Sequence, residues 1–249
     1  MNNLYGYFME PQNFSVNDGD GIRTTIFFAG CPLRCKWCAN PESHEVNNEL
    51  VKPYSVSQIL DIIKRQEIFF RYSGGGVTFS GGEALMQPNV IKAIVDDLYD
   101  RAVNMAIETS GYFDYDEVSD ILERLDLIFI DIKHMDAAKH KYFTGKSNEI
   151  ILNNIKRMNE LNVPVVVRIP VIVGVNSDND NIIKTAKFVK KHLNNPKIEL
   201  LPYHDFGDEK YEKLGLKKPS RNFKRPSNEL LTELKKLIEN EGIEIVSYL

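Results

Sequence analysis

The chain has 249 residues, 43% of them hydrophobic and 27% charged, with a formal net charge of −4. That length and apolar content suffice for a large α/β core, and lysines interspersed with glutamates leave no basic footprint for a nucleic-acid partner. No charged n-region followed by an apolar h-region opens the sequence, and no apolar run nears the roughly 20 residues that span a bilayer, so a cytoplasmic protein without a membrane segment is expected.

Residues 1–21 read as a loop-like N-terminal segment ending in the turn Asn17-Asp18-Gly19-Asp20-Gly21. The β-branched and aromatic stretch 22–28 reads as a strand that stops at Ala29-Gly30 and delivers the next loop at its carboxyl end. All three cysteines fall within the eight residues Cys31-Pro32-Leu33-Arg34-Cys35-Lys36-Trp37-Cys38. An odd count cannot be consumed as disulfides, and a reducing compartment keeps thiols so closely spaced available to an inorganic centre. Two readings follow. One is an iron–sulfur cube held by three thiolates, with one iron open to a ligand; the other is a structural Cys3His zinc site with His44 as fourth ligand.

From Ser55 the pattern turns helical at Ile59, Leu60, Ile62 and Ile63, until Ser73-Gly74-Gly75-Gly76 breaks it. A strand over 77–80 ends in Gly81-Gly82-Glu83, and Pro88 opens a helix with Val90, Ile91, Ile94, Val95 and Leu98 on one face. Strands over 104–108, 126–131, 163–173 and 197–201 then alternate with helices over 115–125, 149–161 and 180–193. Ser227 caps a last helix that Gly242 closes before a terminal strand over 243–246. About six βα units imply a parallel sheet with right-handed crossovers, its strands buried on both faces. A full eight-fold barrel takes ~250 residues, so six units plus an irregular start and a loop over 203–226 predict an open one. The expected fold is α/β, a partial (β/α)6 TIM-like barrel of parallel strands with helices outside, forming a single domain over 1–249.

Ligands gather at the carboxyl ends of such strands, and the unusual polar residues lie there. Gly81 and Gly82 let the backbone approach a ligand closely. Glu108-Thr109 closes the third strand and Asp131-Ile132-Lys133 the fourth. A desolvated Asp131 needs a partner, whether Lys133, a ligand amine or a cation, and Glu108 on the neighbouring strand raises a cation site beside the alternative of a salt bridge to Lys133. Arg168 interrupts an apolar strand, so it should face the lumen and bind a carboxylate. His204 follows the sixth strand.

C-x3-C-x2-C after an apolar strand, with an aromatic before the third cysteine, resembles the radical S-adenosylmethionine (SAM) enzymes. The segments 18–23, 73–83, 131–133 and 200–204 extend the resemblance over nearly the whole chain to the glycyl-radical-enzyme activating enzymes, nearest in layout to those of pyruvate formate-lyase. The resemblance implies one [4Fe-4S] cluster on Cys31, Cys35 and Cys38. It implies SAM contacts from Trp37, which would flank the adenine, and from Asn40, Gly81, Gly82, Glu83, Glu108, Asp131, Lys133, Arg168 and His204. A monovalent cation, Na+ or K+, would sit at Glu108, Thr109 and Asp131, with Glu108 standing where aspartate is usual. The implied reaction is reductive cleavage of SAM to a 5′-deoxyadenosyl radical, which takes hydrogen from a backbone glycine of a partner glycyl radical enzyme. Flavodoxin or ferredoxin would supply the electron, the protein would be a monomer, and the turn over 18–23, at the mouth of the barrel, would meet the partner.

Trp37 and Asn40-Pro41-Glu42-Ser43 look more like the activases of glycyl-radical decarboxylases, dehydratases and C–N lyases. Many of those carry a ferredoxin-like insert, whereas three cysteines leave none for a second four-cysteine cluster. A radical SAM enzyme acting on a small molecule and a non-catalytic zinc-binding α/β module are the alternatives.

Overall fold

A computed structural model describes residues 4–218 and 223–248; residues 1–3 of the N-terminal segment, 219–222 of the 203–226 loop and residue 249 lie outside the described residues. The described strands form one sheet: β1 (Tyr5–Phe8), β2 (Gln12–Ser15), β3 (Arg23–Phe28), β4 (Lys52–Ser55), β5 (Gly76–Gly81), β6 (Asn104–Thr109), β7 (Leu127–Asp131), β8 (Val165–Val171), β9 (Lys197–Pro202) and β10 (Glu244–Ile245). Their spatial order is β10-β9-β8-β7-β6-β5-β3-β1-β4, with β2 on β3. From β3 to β10 every pairing along this path is parallel. The sheet stays open, with β10 at one end and β4 at the other.

The helices are α1 (Val56–Lys64), α2 (Glu67–Ser73), α3 (Pro88–Asp100), α4 (Ser119–Leu122), α5 (Ala137–Thr144), α6 (Glu149–Met158), α7 (Asn179–His192), α8 (Asp208–Lys213) and α9 (Asn228–Asn240). Local chemistry sets their starts. Ser55 Oγ accepts from Gln58 N at 3.2 Å while Gln58 Oε1 accepts from Ser55 N at 2.8 Å, a reciprocal box that satisfies two orphan backbone donors of α1. Ser227 Oγ accepts from Leu230 N at 3.2 Å at the start of α9.

Side chains alternate across each strand, and the alternation divides the interior. Ile107, Ile128, Ile130, Val165, Val167 and Ile169 join the main core, where the helices pack. Ala106, Phe129 and Val166 form a separate inner cluster, and Glu108, Asp131 and Arg168 share their strand parity. The concave face is therefore apolar at one depth and charged nearer the carboxyl ends.

Three expectations are corrected. Residues 1–21 are not all loop, since β1 pairs antiparallel with β3 and β4, and β2 with β3; strands of four residues leave too little alternation to register. The helix expected over 115–125 shrinks to α4, because Asp114 Oδ1 accepts from Asp116 N at 3.1 Å and holds the chain in a local turn instead. α5 and α8 were not expected, for AAKHKYFT and DEKYEK carry no apolar period. The turn over 18–23 is a further correction: it leads into the amino end of β3 instead of standing at the mouth formed by the strands' carboxyl ends, and Asp18 folds back along the sheet, its Oδ2 accepting from Thr25 Oγ1 at 2.5 Å and its carbonyl from Thr78 Oγ1 at 2.7 Å.

Candidate active site

The cysteine loop leaves β3 and is tied down by backbone bonds. Gly30 N donates to Ser43 O at 2.7 Å, Arg34 N to Thr144 O at 2.7 Å and Lys36 N to Phe143 O at 3.0 Å. The Gly81-Gly82-Glu83 turn lies against it, Gly82 N donating to Phe28 O and Glu83 N to Gly30 O, both at 2.9 Å. Glycine is needed here on two counts. Gly81 has φ +115°, and a Cβ on it would stand 2.3 Å from Phe28 O; one on Gly82 would stand 2.5 Å from Gly30 O.

Between the loop and the strand ends lies a cavity of about 270 Å3. Cys31, Cys35, Cys38, Trp37, Asn40, Gly81, Gly82, Glu108, Thr109, Asp131, Lys133, Arg168 and His204 line it. Five of these thirteen positions belong to the cysteine loop and eight to the ends of β5, β6, β7, β8 and β9, so the fold brings together what the sequence scatters. Glu83 is placed otherwise: it is fully buried, and its carboxylate accepts from Thr109 Oγ1 at 2.8 Å, Ser110 N at 2.8 Å and Ser110 Oγ at 2.6 Å. It braces the end of β6 from below the cavity wall. Burial pushes its carboxyl above the ordinary range in spite of those bonds.

The charged residues are paired within the protein. Lys133 holds Asp131, and although burial alone would depress the ammonium, Asp131 carries its pKa upward. Arg168 bridges two carboxylates, bonding Glu108 through Nη1 and Glu199 through Nε at 2.7 Å, with its guanidinium carbon 3.6 Å from the Phe129 ring centroid. Burial opposes the charge on Arg168, but these two acids raise its pKa overall. Breaking a pair this buried costs about 3–5 kcal/mol, because it strands a charge. Arg168 Nη2 is buried with no hydrogen-bond partner among the described residues, a donor left over at the cavity wall. Glu199 was missed by sequence reasoning, although the alternation of β9 placed it on the same strand face as Lys197, opposite Arg168 in register.

Several neighbours were also unforeseen. Lys210 of α8 donates to Asn40 Oδ1 at 2.7 Å and pairs with Glu42 Oε1 at 2.6 Å, and Tyr211 OH donates to Cys38 O at 3.1 Å. Tyr203 lines the cavity with its hydroxyl buried and without a hydrogen-bond partner among the described residues. Trp37 is buried, its ring 5.8 Å from both Phe143 and Phe223, while His204 is exposed at the rim and stacks on Phe206 at 4.5 Å.

The donor set is chemically specific. Three free, partly exposed thiols share one loop and one cavity, while His44 does not line that cavity. Among the described residues no three His, Cys, Asp or Glu side chains are gathered to hold a single metal ion. Thiols spread along a wall with a backbone cradle beside them fit a polynuclear iron–sulfur centre held at three corners.

Residues 25–189 match the radical SAM superfamily. The chain belongs to that superfamily. Membership implies a [4Fe-4S] cluster and SAM as cofactors, in agreement with the three-thiol loop. Among radical SAM relatives, the trans-4-hydroxy-L-proline dehydratase activating enzyme of Clostridioides difficile is 36% identical over 285 aligned residues, covering 92% of this chain and 94% of the relative. The pyruvate formate-lyase-activating enzyme of Clostridium pasteurianum is 36% identical over 228 residues, with the same coverage of each. The crystal structure of a domain of the pyruvate-formate lyase-activating enzyme from Bacteroides vulgatus superposes with a TM-score of 0.56 at 31% identity, covering 69% of this chain and 98% of that one. The first alignment runs to 285 positions against 249 in this chain, so the C. difficile relative carries residues that have no counterpart here. No described helix is long and apolar enough to cross a membrane.

Proposed function

We propose that this radical SAM protein is the activating enzyme of a glycyl radical enzyme, installing a radical on a backbone glycine of pyruvate formate-lyase or of a related lyase, dehydratase or decarboxylase. The observation that carries the reading is the single cavity walled by Cys31, Cys35 and Cys38 on one side and by the strand-end residues on the other. Both relatives of 36% identity are named as activating enzymes, which supports the same class. When bound, the cluster and SAM supply one-electron cleavage of a C–S bond and a 5′-deoxyadenosyl radical.

The chain's own residues do the rest. The three thiolates hold the cluster, and the Gly81–Gly82 backbone, Asn40 and Trp37 form the bed for SAM. The spare Nη2 of Arg168 suits a ligand carboxylate, and the Asp131–Lys133 pair presents both signs of charge to a zwitterion. The wall excludes water from a species that would otherwise react with it. Glu83 contributes by its backbone and by fixing the end of β6. A monovalent cation at Glu108, Thr109 and Asp131 belongs to the same proposal; loading it requires Arg168 or Lys133 to release a carboxylate. We further assign a single partial-barrel domain without a ferredoxin-like insert, supported by a cysteine count of three, too few for a second four-cysteine cluster. The protein would be a cytoplasmic monomer receiving its electron from flavodoxin or ferredoxin.

Anaerobic reconstitution should yield iron and sulfide in equal amounts, and the reduced protein with SAM should release 5′-deoxyadenosine. A co-expressed glycyl radical enzyme should acquire a doublet radical signal that Cys35→Ala abolishes. Zinc without sulfide, or a signal that survives Cys35→Ala, would overturn the reading.

A further inference from the structure

The face beside Cys35 carries a charge opposite to that of the chain. α5 covers the cysteine loop from outside through the bonds from Arg34 N and Lys36 N to its last two carbonyls. The cysteine loop, α5 and the turn after it expose Arg34, Lys36, Lys139, Lys141 and Lys146, the last over the Tyr112 ring at 5.6 Å, together with Tyr142, which is 67% exposed. Lys36 Nζ stands 3.3 Å from the Tyr142 ring centroid. The acids nearby include Glu45, paired with Arg34 at 2.6 Å, Asp136, which caps α5, and Asp178, which with Asp136 and Lys139 acts on His134. The exposed cations outnumber these acids in a chain whose formal net charge is −4. Beneath them the Tyr142 and Phe143 rings lie 4.9 Å apart, and Cys35 packs in the same aromatic group as Phe143 and Trp37. The exposed surface is thus one layer of side chains from a cysteine of the loop.

We propose that this face docks an acidic one-electron carrier protein, an inference that rests on the cysteines holding a redox centre. An acidic carrier is repelled by the net charge of the molecule and attracted locally at this face, where its electron has a short path to the cysteine loop. Tyr142 supplies an exposed, low-entropy aromatic anchor among the cations, the residue type on which interface energy concentrates. One electron leaves the carrier, which is oxidised by one, and enters the thiolate-held centre; no bond or proton moves at this face.

The test uses the cluster-loaded protein, with flavodoxin as the acidic probe. Lys36→Glu/Lys139→Glu/Lys141→Glu should weaken flavodoxin binding at least tenfold and flatten its salt dependence. Lys184→Glu/Lys187→Glu/Lys191→Glu, which makes the same charge change on α7, should bind as the wild type does. With reduced flavodoxin the first variant should form 5′-deoxyadenosine at least tenfold more slowly, and with dithionite at the wild-type rate. Unchanged binding, an equal loss in the α7 variant, or an equal loss with dithionite would overturn the proposal; the last would make the face structural or a seat for the glycyl radical enzyme. Absence of 5′-deoxyadenosine from the wild type with dithionite would instead refute the proposed function, while the binding titration still decides the docking face.

Discussion

Lys210 Nζ donates to Asn40 Oδ1 at 2.7 Å, joining residues 170 positions apart, and reaches Glu42 Oε1 at 2.6 Å. α8 therefore clamps the downstream half of the cysteine loop, with Tyr211 OH on Cys38 O beside it. Glu42 is almost wholly buried and its second oxygen has no hydrogen-bond partner among the described residues, so none of these replaces the lysine if it is lost. Lys210→Met should cost about 1–2 kcal/mol, less than a fully buried pair because the lysine side chain is 38% exposed. That corresponds to a melting temperature lower by about 2–8 °C. SAM affinity should fall with it, since Asn40 loses its anchor, and Lys210→Arg should restore most of both. Unchanged melting and SAM binding in Lys210→Met would mean that the clamp has no role.

Gly82→Ala tests the contact between the glycine turn and the cysteine loop. The added Cβ would meet Gly30 O at 2.5 Å, and that carbonyl is the acceptor for Glu83 N, so the turn and the loop must separate. Overall circular dichroism should be retained while iron and sulfide per chain after reconstitution fall severalfold. A full complement of iron and sulfide in the alanine variant would show that the close approach is dispensable.

The parallel core was legible because its strands are continuous apolar runs between helices of clear period; β5, β6, β7 and β9 lie within a residue or two of expectation. The cysteine loop and the strand-end polar residues were legible because a parallel sheet puts its carboxyl ends on one rim whatever the details. What pairs with what was not legible. Arg168 called for a carboxylate, but only strand register shows that Glu108 and Glu199 both supply one. Asn40 and Lys210 meet across most of the chain, and Lys210 sits in a six-residue helix without an apolar face. Glu83 was expected at the ligand, yet its side chain is turned under β6 because Thr109 and Ser110 offer it three donors.

Glu83 also gives the stability a pH dependence. Burial raises its folded-state pKa above the ordinary 4.5, so the folded protein keeps a proton that the unfolded chain has already released. Its contribution to stability is fully present below about 4.5 and is lost as pH climbs through the raised folded value. Glu83→Gln cannot titrate, so its unfolding free energy in urea should be flatter above pH 4.5 than that of the wild type, both measured without metal. Parallel curves for the two proteins would show that another group sets the slope.

The thiols of the loop should be unreactive until a metal takes their protons. Burial pushes Cys31 and Cys38 from the ordinary 9.0 up to about 12, and Cys35 moves the same way. A rise from 9 to 12 lowers the thiolate fraction about a thousandfold, and the greater nucleophilicity of a more basic thiolate returns about 15- to 30-fold of that. Iodoacetamide at pH 8 should therefore label the folded, metal-free protein about 30- to 60-fold more slowly than the urea-unfolded chain. Adding ferrous iron and sulfide to the same protein should release protons beyond the one that each hydrosulfide ion gives up on entering the centre, the excess reaching up to one for each of the three cysteines in the chain. Rapid alkylation of the folded protein, or metal uptake without that excess, would mean that the loop is already ionised and that burial does not govern its chemistry.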